Sequence, residues 1–222
     1  MYSTDKQLTK RKSKPGIARA SGEDFVAGCD ASILIESDDG DAERDAPTYW
    51  LSLRGMFLYW LAGMPSFAVE LGRRDGLVSS KDRVAGKIPS PRFTITELLS
   101  SFAERNLTLA DLVTLSGAHS LGSANCDKVT CRLRGVHGDH NFDDTPFQFD
   151  NLYYRKLVSG QGLLPSDQAL VADPEAKALV FKFAAASDEF HAAFAASMRL
   201  LGRVGVKTGA QGEVRRVCSS SN

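Results

Sequence analysis

Little in this sequence favours one sign of charge. Lysine plus arginine and aspartate plus glutamate stand at 27 each, so the formal net charge is zero. No global field draws the chain to nucleic acid or an anionic bilayer, and we expect neither as a partner. A long apolar run is also lacking. The most apolar window, Met56 to Val69, is too short to span a membrane and is broken by Gly63 and Pro65. The opening stretch MYSTDKQLTKRKSKP has no apolar segment behind its charges and does not read as a secretory signal. Cysteine is scarce. The four cysteines, Cys29, Cys126, Cys131 and Cys218, match no zinc template. Cys126 and Cys131 are expected to share a helix. There, five residues of rise hold their Cα atoms about 7–8 Å apart, beyond comfortable bridging. Neither βαβ alternation nor an internal repeat is present, and no GxxxxGK[ST] phosphate loop.

What is present reads as helices joined by Gly/Pro loops. The length of 222 residues suits one domain or at most two small ones. Residues 1–24 read as a solvated basic tail, carrying Lys6, Lys10, Arg11, Lys12 and Lys14. Residues 25–218 read as the folded unit and 219–222 as a tail. Phe25 to Gly40 reads as a compact loop. Residues 94–106 carry apolar positions at helical spacing behind Thr94 as a candidate N-cap. Thr108 and Asp111 resemble a capping box that opens an amphipathic helix ending near His119. Gly135 to Pro146 is a polar loop, and FDNLYYRKL opens another helix. Asp173–Pro174 starts a helix running to about Ala186, because aspartate suits the N-cap and proline the first turn. A last helix spans Ser187 to Leu201.

The segment DLVTLSGAHSLG, Asp111 to Gly122, places His119 among small residues that leave room for a large flat group. Asp167 lies downstream in GLLPSDQAL. A histidine whose far ring nitrogen is held by a carboxylate is a common metal ligand, since the carboxylate raises its basicity. Haem iron is one such metal. By itself, each of the two residues is ordinary: a packed histidine and a surface carboxylate.

The runs GCDASILIES, LSLRG, FAVELGRRDG, DLVTLSGAHSLGSANC, TPFQFDNLYYRKL, GLLPSDQAL and FAASMRLLGRVGVKTGAQGEVRRVC occur in one order across residues 25–218. With them the chain resembles the plant-type secretory haem peroxidases, class III. The resemblance implies an all-α haem peroxidase-like fold with haem b gripped between distal and proximal halves. It implies reduction of hydrogen peroxide with oxidation of small phenolic donors, a monomer, and secretion. It places the haem iron ligand on His119, the supporting carboxylate on Asp167, and a substrate-contact proline on Pro89. Two calcium ions are implied. The proximal site maps onto Ser120, Thr145 and Asp150; a further aspartate of the family falls on Phe142, with Asp143 and Asp144 one and two places later. The distal site maps onto Val26, Gly28, Asp30, Ser32 and Glu43, and the family's opening aspartate falls on Glu23.

The same resemblance exposes what the distal half lacks. Peroxide cleavage needs a histidine that moves a proton between the two oxygens and an arginine that stabilises the developing charge. Those positions hold Gly22 and Ala18, and the asparagine that orients the histidine falls on Tyr49. Two stretches of the family are shortened here, between Met56 and Leu61 and between Cys126 and Thr145. Cys29, Cys126 and Cys218 sit at family positions whose partners are gone, and Cys131 matches none. The distal half is therefore expected to be incomplete and turnover weak. The alternative is a non-catalytic helical remnant that binds haem or calcium at most.

Other groups read as structure. The HGDHNFDD segment, His137 to Asp144, could ligate zinc or manganese but is better read as a polar loop. His191 reads as a half-buried helix residue. Arg73, Arg74 and Asp75 read as ion pairs or caps, and Tyr153 and Tyr154 as packing residues.

Overall fold

The computed structural model describes residues 39–42 and 62–222, apart from 69, 71, 85, 128, 133, 134 and 218. The distal positions Ala18 and Gly22, the residues Glu23, Val26, Gly28, Asp30, Ser32, Glu43 and Tyr49, the 1–24 tail, Cys29 and Cys218 lie outside that set, as does the shortening before Leu61.

Six α-helices carry the described fold: α1 (Ile95–Ala103), α2 (Leu109–Ser116), α3 (Leu152–Val158), α4 (Pro165–Ala169), α5 (Pro174–Ala185) and α6 (Ser187–Leu201). The fold is helical, as expected. It also holds a short antiparallel pair, β1 (Ser123–Asn125) and β2 (Asp139–Asn141), in which Ala124 faces His140. β2 lies inside the stretch read as a polar loop.

Local chemistry sets the helix ends. Thr94 accepts from the Glu97 amide while the Glu97 carboxylate takes the Thr94 amide, closing a capping box on α1. α1 then stops in a Schellman turn. Asn106 takes a left-handed φ of 57°, with Leu107 N–H donating to Phe102 O and Asn106 N–H to Ala103 O. Leu107 is buried in the core, and the next residue, Thr108, caps α2 through Asp111. Asp173 caps α5 with two backbone bonds, and Pro174 follows at the first turn. α3 ends in a second Schellman turn on Gly160, with φ 73°.

The α2 helix differs from its expected amphipathic form. Asp111, Leu112, Val113, Thr114 and Leu115 are all buried, so it runs through the middle of the core rather than along its edge. It packs on α1, α5 and α6. Its buried polar groups are satisfied by neighbours: Asp111 Oδ1 accepts from the Ser197 hydroxyl on α6 at 2.7 Å. The Tyr154 phenol on α3 donates to Val113 O at 3.0 Å and Thr114 O at 3.2 Å, both near the end of α2. The phenol and the Phe190 ring lie so close to Gly117 that a Cβ there would collide with both. Only glycine lets the chain leave α2 at that point.

Around this helix Phe149, Tyr153, Tyr154, Phe183, Phe190 and Phe194 form one aromatic cluster. A smaller cluster, Ala124, Leu163 and Leu164, packs with Phe142 and the two cysteines beside β1.

Cys126 and Cys131 form a disulfide with their Cα atoms 5.4 Å apart. This corrects two expectations, a shared helix and a Cys126 without a partner. The segment after β1 makes a single turn, closed by the Val129 N–H bond to Asn125 O, and no helix is formed between β1 and β2 among the described residues. A turn brings close two residues that helical rise would separate.

Candidate functional site

The candidate site is assembled at the exit from α2. Residues 117–120 form one 3₁₀ turn, after which Leu121 is extended. The tighter turn carries His119 out toward α4. There its Nδ1 lies 2.9 Å from Asp167 Oδ1, and Asp167 itself is only 3% exposed. A carboxylate acceptor places the proton on Nδ1 of the neutral ring. His119 Nε2 makes no hydrogen bond among the described residues.

Several ties hold Asp167 in place. Pro165 opens α4, and Ser166 N–H donates to Pro91 O at 3.0 Å. The Gln168 side chain takes Gly162 N–H and donates to Leu157 O, each at 3.0 Å. Arg132, one residue beyond the disulfide, donates to Gly160 O and Gly162 O at 2.7 and 3.1 Å. The Ser166 bond also attaches the Ser90–Phe93 turn to the helix that carries Asp167. Pro89 is half-buried just before the Ser90–Phe93 turn.

Two rings fix the plane of the imidazole. Phe142 stacks on it with centroids 4.3 Å apart and planes 6° from parallel. Tyr153 meets it edge-on at 6.1 Å. The Tyr153 phenol donates to Asp167 Oδ1 at 3.0 Å, so one carboxylate oxygen serves both His119 and Tyr153. The other, Oδ2, is buried with no partner. Burial works against a charged His119, but the Asp167 charge and hydrogen bond outweigh it and raise the imidazole above its usual range. Tyr153 is pushed well above the ordinary phenol range, first by burial and then by the Asp167 charge, so it stays a donor.

A second cluster lies one residue along the chain from His119. Ser120, Thr145 and Asp150 meet there: Thr145 Oγ1 lies 3.0 Å from Asp150 Oδ2, and Asp150 N–H donates to Ser120 Oγ at 3.2 Å. Asp143 completes the cluster. Its Oδ1 accepts from Thr145 N–H at 2.8 Å and stands 3.2 Å from Thr145 Oγ1. One hydroxyl proton cannot serve both carboxylates at once. Asp143 Oδ2 is buried without a partner, and burial, followed by the nearby Asp150 charge against Thr145's hydrogen bonds, raises the Asp143 carboxyl. Of the residues placed by spacing, Phe142 turns to His119 and Asp144 turns out to Lys156 at 2.9 Å.

The remaining candidates resolve into structure. His137 Nδ1 lies 2.7 Å from Asp127 Oδ1, and Asp139 accepts from Asn125 at 2.8 Å, so the acidic and histidine groups of HGDHNFDD face different partners. No group of three His, Cys, Asp or Glu that could hold a metal occurs among the described residues. His191 is half-buried, its Nε2 3.2 Å from Phe149 O. Asp75 pairs through its backbone with Glu213 and through its carboxylate with Arg215. Tyr153 and Tyr154 do pack, but both also donate hydrogen bonds that sequence reasoning missed. Nothing in the sequence pattern marks Tyr153 as a partner of Asp167. Of the two aspartates that the spacing sets just after Phe142, the structure brings Asp143 to Thr145 and turns Asp144 to Lys156.

The peroxidase family model matches residues 50–186. The chain is 38% identical to Peroxidase 55 of Arabidopsis thaliana over 256 aligned positions, 89% of this chain and 78% of the relative. It is 43% identical to Peroxidase 51 of the same plant, again over 89% of this chain, and 33% identical to Peroxidase 65 over 99% of it. The alignment with Peroxidase 55 runs over 256 positions, more than the 222 residues of this chain, so that relative carries internal residues that this chain lacks.

Proposed function

The chain belongs to the plant-type secretory haem peroxidases, and from that membership we propose that it is a proximal haem half-site with weak peroxide turnover. The observation that carries this reading is the His119–Asp167 pair, with Nδ1 engaged and Nε2 making no hydrogen bond among the described residues. The donor set fits haem. A neutral imidazole held by a buried carboxylate, in a plane set by Phe142, presents one basic nitrogen to an iron.

In this reading haem b supplies the redox chemistry, hydrogen peroxide being reduced while small phenolic donors lose single electrons. His119 holds the group through Nε2. Asp167 keeps the proton on Nδ1 and strengthens the ring as a donor. Pro89 borders the donor site, the turn after it anchored to α4 by the Pro91–Ser166 bond. The distal positions supply neither a proton carrier nor a cation, since they are Gly22 and Ala18. Secretion and a monomeric state belong to the same proposal.

The test is a hemin titration followed at the Soret band. Saturable one-to-one binding is expected, and Asp167→Asn should weaken it roughly 10–100-fold, the range for losing a metal ligand's outer partner. Wild-type binding that Asp167→Asn leaves unchanged would sink the assignment.

Ser120, Thr145, Asp150 and Asp143 are the proposed proximal calcium ligands, with Asp143 in the role the spacing gave to Phe142. Hydroxyl, carboxylate and carbonyl oxygens are what calcium takes, and Asp143 Oδ2, buried with no hydrogen-bond partner among the described residues, is an oxygen a cation could use. A distal site on Val26, Gly28, Asp30, Ser32 and Glu43 stands on the resemblance alone. Calcium at a hundredfold excess over its dissociation constant should stabilise the fold by about 2.7 kcal/mol. Scanning calorimetry should show a higher melting temperature with calcium, and Asp143→Asn should remove most of the rise. An equal rise in that variant would place the ion elsewhere.

A further inference from the structure

Asp167 is loaded unevenly. Its Oδ1 accepts from His119 Nδ1 at 2.9 Å and from the Tyr153 phenol at 3.0 Å, while its buried Oδ2 has no hydrogen-bond partner among the described residues. The two donors draw on the lone pairs of one oxygen. A donor to a carboxylate stabilises its charged form and makes it a weaker base. The strength of the His119–Asp167 bond is therefore set in part by the phenol beside it. The arrangement is rigid: Tyr153 is 2% exposed, and its ring packs edge-on against both His119 and Tyr154.

We propose that Tyr153 is a positioning residue acting through Asp167, whose phenol moderates the pull of the carboxylate on His119 and so the electron density that the imidazole offers a bound iron. The proposal rests on the haem reading for its consequence but not for its geometry. In haem proteins, hydrogen bonding behind the axial ligand is one of the levers by which the protein tunes the iron. With the phenol present, the ring stays closer to a neutral imidazole. Without it, Asp167 pulls harder on Nδ1–H, the ring gains imidazolate character, and ferric iron is favoured over ferrous.

Tyr154 supplies the control. It is equally buried, but its phenol donates to Val113 O and Thr114 O and makes no bond to Asp167. Tyr153→Phe and Tyr154→Phe each remove one buried hydroxyl and keep the ring, so both retain the packing that holds the fold.

The first readout needs no haem. In the full chain, the proton NMR signal of His119 Nδ1–H, identified by its loss in His119→Ala, should move downfield in Tyr153→Phe and stay in place in Tyr154→Phe. With hemin bound and reduced, the iron–histidine stretch in resonance Raman should rise in Tyr153→Phe alone, and the iron reduction potential should fall. An unmoved proton signal in Tyr153→Phe, or equal shifts in both variants, would overturn the role. If hemin fails to bind, the haem reading falls while the proton signal still decides the role of Tyr153.

Discussion

Loaded with hemin and given hydrogen peroxide, the protein is expected to oxidise guaiacol roughly 10²–10⁴-fold more slowly than a relative with a distal histidine, the range that general acid–base catalysis supplies. Each tenfold loss is about 1.4 kcal/mol of barrier, so the deficit amounts to about 3–5 kcal/mol. Cleaving peroxide requires a proton to leave one oxygen and arrive on the other as the bond breaks. On the resemblance, the position of the family residue that carries it is Gly22, which has no side chain, and that of the charge-stabilising arginine is Ala18. His119 and Asp167 would not replace them, because in the proposed reading they would hold the haem rather than touch the peroxide. The check is an initial-rate assay at matched haem content. Rates equal to those of a relative with an intact distal motif would mean that another group carries the proton.

The second large effect is on stability. Phe190→Ala should cost about 3–5 kcal/mol, as large-to-small changes of buried aromatics do. Phe190 is fully buried on α6 and touches Phe149, Tyr154, Phe183 and Phe194, with ring centroids 4.9–5.9 Å away. It also closes over Gly117, where the chain leaves α2 for His119. A cavity there should loosen the 3₁₀ turn as well as the core, so hemin affinity should fall with stability. Urea unfolding measures the first and the Soret titration the second. A loss below about 1 kcal/mol, the scale of an average substitution, would show that the cluster is not the keystone of this half.

The helices were legible because their ends are written in short-range chemistry. Thr94 with Glu97, Thr108 with Asp111, and Asp173 with Pro174 each satisfy amide groups within one turn, so spacing alone reveals them. The His119–Asp167 pairing was legible only through the family's motif order, since 48 residues separate the two. In the loop before Thr145, position counting leaves the choice between Asp143 and Asp144 open. Counting aligns the family's aspartate with Phe142, whose apolar ring is buried against His119, and the carboxylate one residue later enters the polar cluster. The disulfide is hidden for a related reason: a helix over the segment predicts Cα atoms too far apart, and only its turn brings Cys126 to Cys131. Tyr153 was read as packing because the pattern shows the buried ring but not where its hydroxyl points.

The most direct test of the account is one hemin titration comparing the wild-type chain with His119→Ala, followed at the Soret band. The account predicts a saturable one-to-one transition in the wild type, with its shifted band lost in His119→Ala. An identical transition in both proteins would contradict it, since haem would then be held without His119. So would a wild type that never saturates.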